Sequence, residues 1–227
     1  MTDLRRLAWR WPHWWAAALS GAGWCWFLAR WWSARGVHAH GTGFSILDWA
    51  VMVIAMMLPL VFAHMRFTAA RSLWHRRQRA LLAFTCGYLG AWLLAGLAAL
   101  AGWFAFGQAD LEAWPWLASM AFGVAALWQL VPLKQRALVA CHRTVPLAPR
   151  GWRADRDCLL YGWTIGTRCL VTCGGLMLAC VVAGHGLFAM LGASAIAGAE
   201  RYSVRANGRT TSVALASMAV VFAVLVE

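Results

Sequence analysis

Polar side chains are too few in this chain to cover a globule in water, and they come in short clusters between long apolar runs. Of the 227 residues, 62 % are hydrophobic and 12 % charged, with a mean hydropathy of +0.61. A soluble domain has about 45–50 % apolar and about 25 % charged residues. The same balance excludes a disordered chain, a collagen-like repeat and a disulfide-stapled secreted module. What remains is an all-α, polytopic helix bundle in a lipid bilayer. It is read as a single transmembrane domain over 1–227, since each span with its connection takes roughly 30 residues.

The apolar runs predict seven helices, at about 12–32, 46–65, 80–104, 115–132, 163–183, 186–200 and 211–226. Residues 158–199 are almost unbroken and too long for one span, and Gly184-His185-Gly186 supplies a turn within them. The stretch 133–157, with Pro146 and Pro149, reads as polar and partly irregular. The net charge is +12, and 17 of the 20 basic residues fall in alternate connections, leaving Arg30 and Arg35 on the other side and Arg168 inside the fifth helix. By the positive-inside rule the N-terminus is then cytoplasmic and the C-terminus outside. Charge dispersed in this way forms no single basic face, so no nucleic-acid partner is expected. Seventeen tryptophans are many; Trp9, Trp11, Trp14, Trp15, Trp31, Trp32, Trp114 and Trp116 fall at span ends, where indoles anchor to the interface.

The seven cysteines are odd in number and mostly lie within apolar runs, which is no disulfide framework. One stretch stands out: Arg168-Cys169-Leu-Val-Thr-Cys173-Gly-Gly-Leu-Met177-Leu-Ala-Cys180. At ~100° per residue, Cys169, Cys173, Met177 and Cys180 fall at about 0°, 40°, 80° and 20°, on one helix face. Gly174 and Gly175 lie to the side, where they permit close helix approach. Thiolates and thioethers select Cu(I) among common metals, although Cys and Met also serve as ordinary core fillers. A second stripe runs Asp48, Met52, Met56 and Pro59. Pro59 frees a backbone carbonyl and kinks its helix. Asp48 is either the outer mouth of that stripe or the N-cap of the second helix. Taking the helix centres as level puts Met56 beside Cys173, and Met52 beside Met177 roughly 5–6 Å further out, so the two antiparallel stripes can face each other across a Cu(I) site.

Other ligand-capable residues flank the stripes. His185 lies at the outer turn, His38 and His40 lie in the loop after the first helix, and Cys141-His142 is a candidate exit on the inner side. Arg168 either faces a partner or snorkels to the interface, and Glu200 either pairs with Arg168 or sits at the interface. No nucleophile–base–acid set, phosphate loop or His-Glu-x-x-His helix is present, so no enzyme is expected. A haem would need paired axial ligands, and His64 has no evident partner.

Several runs carry a family resemblance: Asp48-Trp49…Met52…Ala55-Met56-Met57-Leu58-Pro59, Gln129-Leu-Val-Pro132-Leu133-Lys134…Cys141, Cys169…Cys173-Gly-Gly-Leu176-Met177, and Glu200-Arg201. Over residues 46–205 the chain resembles an uncharacterised bacterial family known as predicted metal-binding integral membrane proteins. The resemblance implies residence in the bacterial inner membrane. It also implies two cysteines, spaced by three residues, after Pro-Leu-Lys; Ala137 stands at the first here and Cys141 at the second. Family members have more closely spaced cysteines in the Cys-rich helix, and Met-Asn at the outer turn where this chain has His185-Gly186.

Three functions are compatible with these features. The first is a Cu(I)-handling protein in copper transport or in delivery to a membrane or periplasmic cuproenzyme. Its metal ligands would be Cys169, Cys173, Met177, Met52, Met56, Asp48 and His185, with Arg168, Glu200, Cys180 and Pro59 in support. The second is a structural or assembly subunit of a larger membrane complex. The third, a quinone-coupled thiol–disulfide enzyme, wants reactive cysteine pairs at the outer face, whereas Cys169 and Cys173 fall near mid-helix.

Overall fold

The computed structural model describes residues 11–34, 45–105, 116–148, 150–202 and 208–224. His38 and His40 lie outside them. The described residues form nine α-helices: α1 Trp14–Ala34, α2 Ile46–Met57, α3 Phe62–Arg71, α4 Arg77–Ala105, α5 Trp116–Trp128, α6 Pro132–Cys141, α7 Gly151–Val182, α8 Leu187–Tyr202 and α9 Gly208–Val224. Short 3-10 turns at Pro59–Val61 and Trp74–Arg76 join α2 to α3 and precede α4.

Two helical stretches, Trp74–Ala105 and Gly151–Val182, are long and apolar enough to cross a membrane. The number becomes four when the bent pairs Ile46–Met57 with Pro59–Arg71 and Trp116–Trp128 with Pro132–Cys141 each count as one. The seven expected spans are therefore not matched by seven full-length helices. α8 and α9 have 16 and 17 residues, about 24–26 Å against a hydrocarbon layer of about 30 Å. α1 is long enough at 21 residues but carries six tryptophans with interspersed Gly and Ser, which lowers its hydropathy.

Ser45 caps α2, accepting the Asp48 backbone N–H at 3.4 Å. Asp48 is thus not the N-cap. It sits in the first turn, where a carboxylate suits the helix dipole, and pairs with Arg30 of α1 at 2.5 Å. At the other end Pro59 stops the helix and the axis turns by 43°. Proline has no N–H to offer the carbonyl four residues back. That carbonyl, on Ala55, accepts instead from Ser20 of α1 at 2.8 Å. The other carbonyls near the break are met in the same way: Met57 by the Tyr88 hydroxyl of α4 at 3.2 Å, Leu60 by Arg201 Nε of α8 at 3.1 Å, and Pro59 by the Tyr202 hydroxyl.

α4 and α7 form the closest pair in the bundle. Cβ atoms built on Gly87 and Gly162 would lie 2.0 Å from the Leu159 carbonyl oxygen and 1.9 Å from that of Phe84, and one on Gly166 would lie 2.9 Å from Tyr88 O. These glycines let two backbones touch. Gly174 and Gly175, expected to play that part, have nothing within 4 Å. α7 also starts at Gly151 rather than near 163. Its first turns are amphipathic, with Ala154, Cys158 and Tyr161 buried at helical spacing while Arg153 stays outside. Asp155 there binds Arg76 at 2.6 Å and Arg79 at 2.8 Å. The 133–157 stretch, expected to be irregular in part, is irregular over 143–148 around Pro146 and helical on either side, through α6 and the start of α7.

Tryptophan serves two purposes. Trp11, Trp14, Trp32 and Trp116 are exposed, as interface anchors should be. Trp49 and Trp92 are buried; the Trp49 indole donates to the Trp92 carbonyl at 2.9 Å and lies over Gly96, where a Cβ would be 2.4 Å from it.

Candidate metal centre

Cys169 and Cys173 lie one turn apart on the buried face of α7. They line a cavity of about 20 Å³ with Leu60 and Val61 from the 3-10 turn, Leu138 and Cys141 from α6, Ile165 and Thr172 from α7, and Ala197, Glu200 and Arg201 from α8. One water-sized body needs about 10–15 Å³, so the space has room for one small body, a water or an ion stripped of its hydration shell. Thr172 Oγ1 lies 3.5 Å from Cys173 Sγ. The Tyr88 hydroxyl reaches across from α4 to within 3.4 Å of Cys169 Sγ, and is itself fully buried. Its one proton is shared between that sulfur and the Met57 carbonyl.

The α8 side of the cavity is charged, through Glu200 and Arg201, and Lys134 of α6 is held against Glu200. Glu200 and Lys134 are buried, with Lys134 Nζ 3.0 and 3.1 Å from the two carboxylate oxygens. Lys134 also donates to the Gln129 side-chain oxygen. The pairing of Glu200 with Arg168 raised by the sequence does not occur. Arg168 instead donates to the Ala140 carbonyl at 2.7 Å, capping the end of α6. Arg201 donates to Leu60 O and to His64 Nε2. Arginine is donor-only, so His64 Nε2 must accept and the ring proton sits on Nδ1, 2.5 Å from the Tyr161 hydroxyl. His64 is thereby occupied by Arg201 and Tyr161.

Cys141, read from the sequence as a separate inner site, stands on the same cavity as Cys169 and Cys173. The methionines do not. Met52, Met56 and Met177 are buried in the same core, as is Cys180, but none lines the cavity. The expected face-to-face meeting of the second and fifth predicted helices is also replaced. α2 packs chiefly on α1 and α4, and α4 is the main neighbour of α7. The glycine crossing brings α4 so close that its Tyr88 bridges from Cys169 to the end of α2.

His185 sits where expected, in the turn after α7, with φ +55°. Its backbone N–H closes a bond to Cys180 O at 2.9 Å, as in a Schellman ending. The ring stacks on Phe27 (centroids 6.0 Å apart), and Nε2 is buried without a hydrogen-bond partner. Burial holds its pKa below the ordinary histidine value, against a smaller opposing pull from Asp48. The neutral ring is the form that ligates metals. Pro59 contributes the break rather than a ligand.

Lys134, Gln129 and Tyr88 are the residues that sequence reasoning missed. A lysine inside Pro-Leu-Lys looked like the start of a polar loop; its signal was that Gln129 and Lys134 both stand in a run that carries the family resemblance. Among the described residues no group of three or more His, Cys, Asp or Glu side chains is arranged to hold a metal. A two-coordinate ion needs only the thiol pair.

No curated protein and no solved structure matches the chain. A family model described as PpoB2, copper chaperone, matches residues 46–226. That range includes both helix breaks, the three cavity cysteines and the Lys134–Glu200 pair. The chain belongs to the PpoB2 copper chaperone family.

Proposed function

We propose that this chain is a multi-pass protein of the bacterial inner membrane that holds Cu(I) on Cys169 and Cys173 and hands it to a membrane or periplasmic cuproenzyme, without catalysing a reaction itself. The observation that carries the reading is the pair of buried thiols one turn apart on a cavity with room for one small body, in a member of a copper chaperone family. Thiolates are the ligands that select Cu(I), and Cu(I) is content with two of them. The apolar composition supports the membrane setting, with each bent pair counted as one span, α1 as a less apolar one, and α8 and α9 as shorter ones. The distribution of basic residues supports a cytoplasmic N-terminus. In this reading Met177, Cys180, Met52 and Met56 form a soft-donor path toward the outer turn, where His185 and Asp48 receive the ion.

Purified, reduced protein titrated with Cu(I) against a chromophoric chelator should take up one Cu(I) per chain. A protein that leaves all the copper on a weak chelator would sink the proposal. Tyr88→Phe keeps the ring and deletes the proton offered to Cys169 Sγ. It should weaken Cu(I) binding about tenfold, in line with hydrogen bonds that support metal ligands. An unchanged competition curve would remove Tyr88 from the site.

A further inference from the structure

We infer that Lys134 and Glu200 set the charge around the thiol cavity so that it favours a soft monovalent cation, held as an anionic bis-thiolate, over a divalent one. The inference rests on the reading of Cys169 and Cys173 as ligands.

The charge balance around the cavity is lopsided. Lys134 and Glu200 cancel one another, at 3 % and 6 % side-chain exposure. Arg201 lines the same cavity and donates to the neutral acceptors Leu60 O and His64 Nε2. Arg168, next to Cys169, binds the neutral Ala140 carbonyl. Among the described residues neither arginine makes an ion pair. Glu200 and Arg201 thus stand on the cavity wall, Lys134 is held against Glu200, and Arg168 directly precedes Cys169, so three cations lie near the thiols against one carboxylate.

Loading the pair changes its charge. Two thiols and one Cu(I) give a bis-thiolate complex with a single negative charge, and two protons leave for water; no electron is transferred. A buried negative charge beside surplus cations is stabilised, because screening there is weak. Zn(II) on the same two thiolates gives a neutral complex, which gains much less from the surplus. Lys134 therefore favours the Cu(I) complex, and Glu200 opposes it. A purely structural ion pair would behave differently: losing either member would do equal harm, since each strands its partner in the core.

The test compares Lys134→Met, Glu200→Gln and the double variant, each titrated with Cu(I) and separately with Zn(II) against chromophoric chelators. Lys134→Met should lose about ten- to a hundredfold in Cu(I) affinity and distinctly less for Zn(II). Glu200→Gln should gain Cu(I) affinity at least severalfold, and the double variant, with the wild-type charge balance, should return near the wild type. If Lys134→Met does not fold, the step from Glu200→Gln to the double variant removes the ammonium without stranding a carboxylate. That step should still lower Cu(I) affinity at least severalfold. Equal weakening by both single variants, or equal shifts for Cu(I) and Zn(II), would overturn the inference. A wild type that binds no Cu(I) would overturn the ligand assignment beneath it.

Discussion

Changing Cys169 and Cys173 together to serine is expected to abolish Cu(I) binding, with a loss of at least about 1000-fold, or about 4 kcal/mol, in chelator competition. Serine nearly matches cysteine in shape and can accept the Tyr88 and Thr172 hydrogen bonds, so the surrounding core should stay intact. It offers a hard hydroxyl that stays protonated at neutral pH, and Cu(I) has no use for it. Cys180→Ser is the matching control. Cys180 is buried on the same stripe, with its sulfur 3.9 Å from the Ala189 carbonyl oxygen, but does not line the cavity. Its copper affinity should stay within a few-fold of wild type. Copper retained by the double serine variant would leave the family's cargo without a site at these thiols.

The second large effect is on folding. Gly162→Ala adds one methyl group at a point 1.9 Å from the Phe84 carbonyl oxygen. The obstacle is helix backbone, so relief requires α4 and α7 to separate along their contact. Overpacking a core with a movable side chain costs about 1–3 kcal/mol; here the cost should exceed about 4 kcal/mol, enough to unfold a marginally stable protein. The measurement is the yield of monodisperse protein in detergent and its melting temperature. Gly174→Ala, three turns further along α7, meets nothing within 4 Å and should be tolerated. Equal stability of the two variants would mean that the α4–α7 contact is not the bundle's main seam.

The helical class, the stripe of Cys169 and Cys173, the turn at His185 and the Pro59 break were all legible in the sequence, because each depends on local periodicity or on a single residue's chemistry. Partnerships were not. Which helix lies against α7 depends on Gly87, Gly162 and Gly166, and a glycine in a helix looks the same whether it meets a backbone or, like Gly174, open space. Glu200 has three basic residues within reach in such a bundle, and sequence spacing alone cannot choose Lys134 over Arg168. Cys141 was assigned to a different place because α6 turns aside by 74° at the break before Pro132, an angle that no hydropathy profile records. The start of α7 was missed because its buried positions recur with helical spacing instead of forming a continuous apolar run.

The break at Pro59 also bears on how the chain is assembled. Its carbonyls lean on Ser20, Tyr88, Arg201 and Tyr202, donors drawn from segments synthesised before it, soon after it and almost last. In a hydrocarbon environment open carbonyls are costly. On the proposed membrane reading, a nascent chain with α2 and α3 inserted but α8 not yet made would carry an unfinished joint, dependent on water or a neighbour for relief. The early half of the molecule is completed only by the arrival of Arg201 and Tyr202, so premature termination upstream of α8 should leave a product marked for degradation rather than a stable fragment.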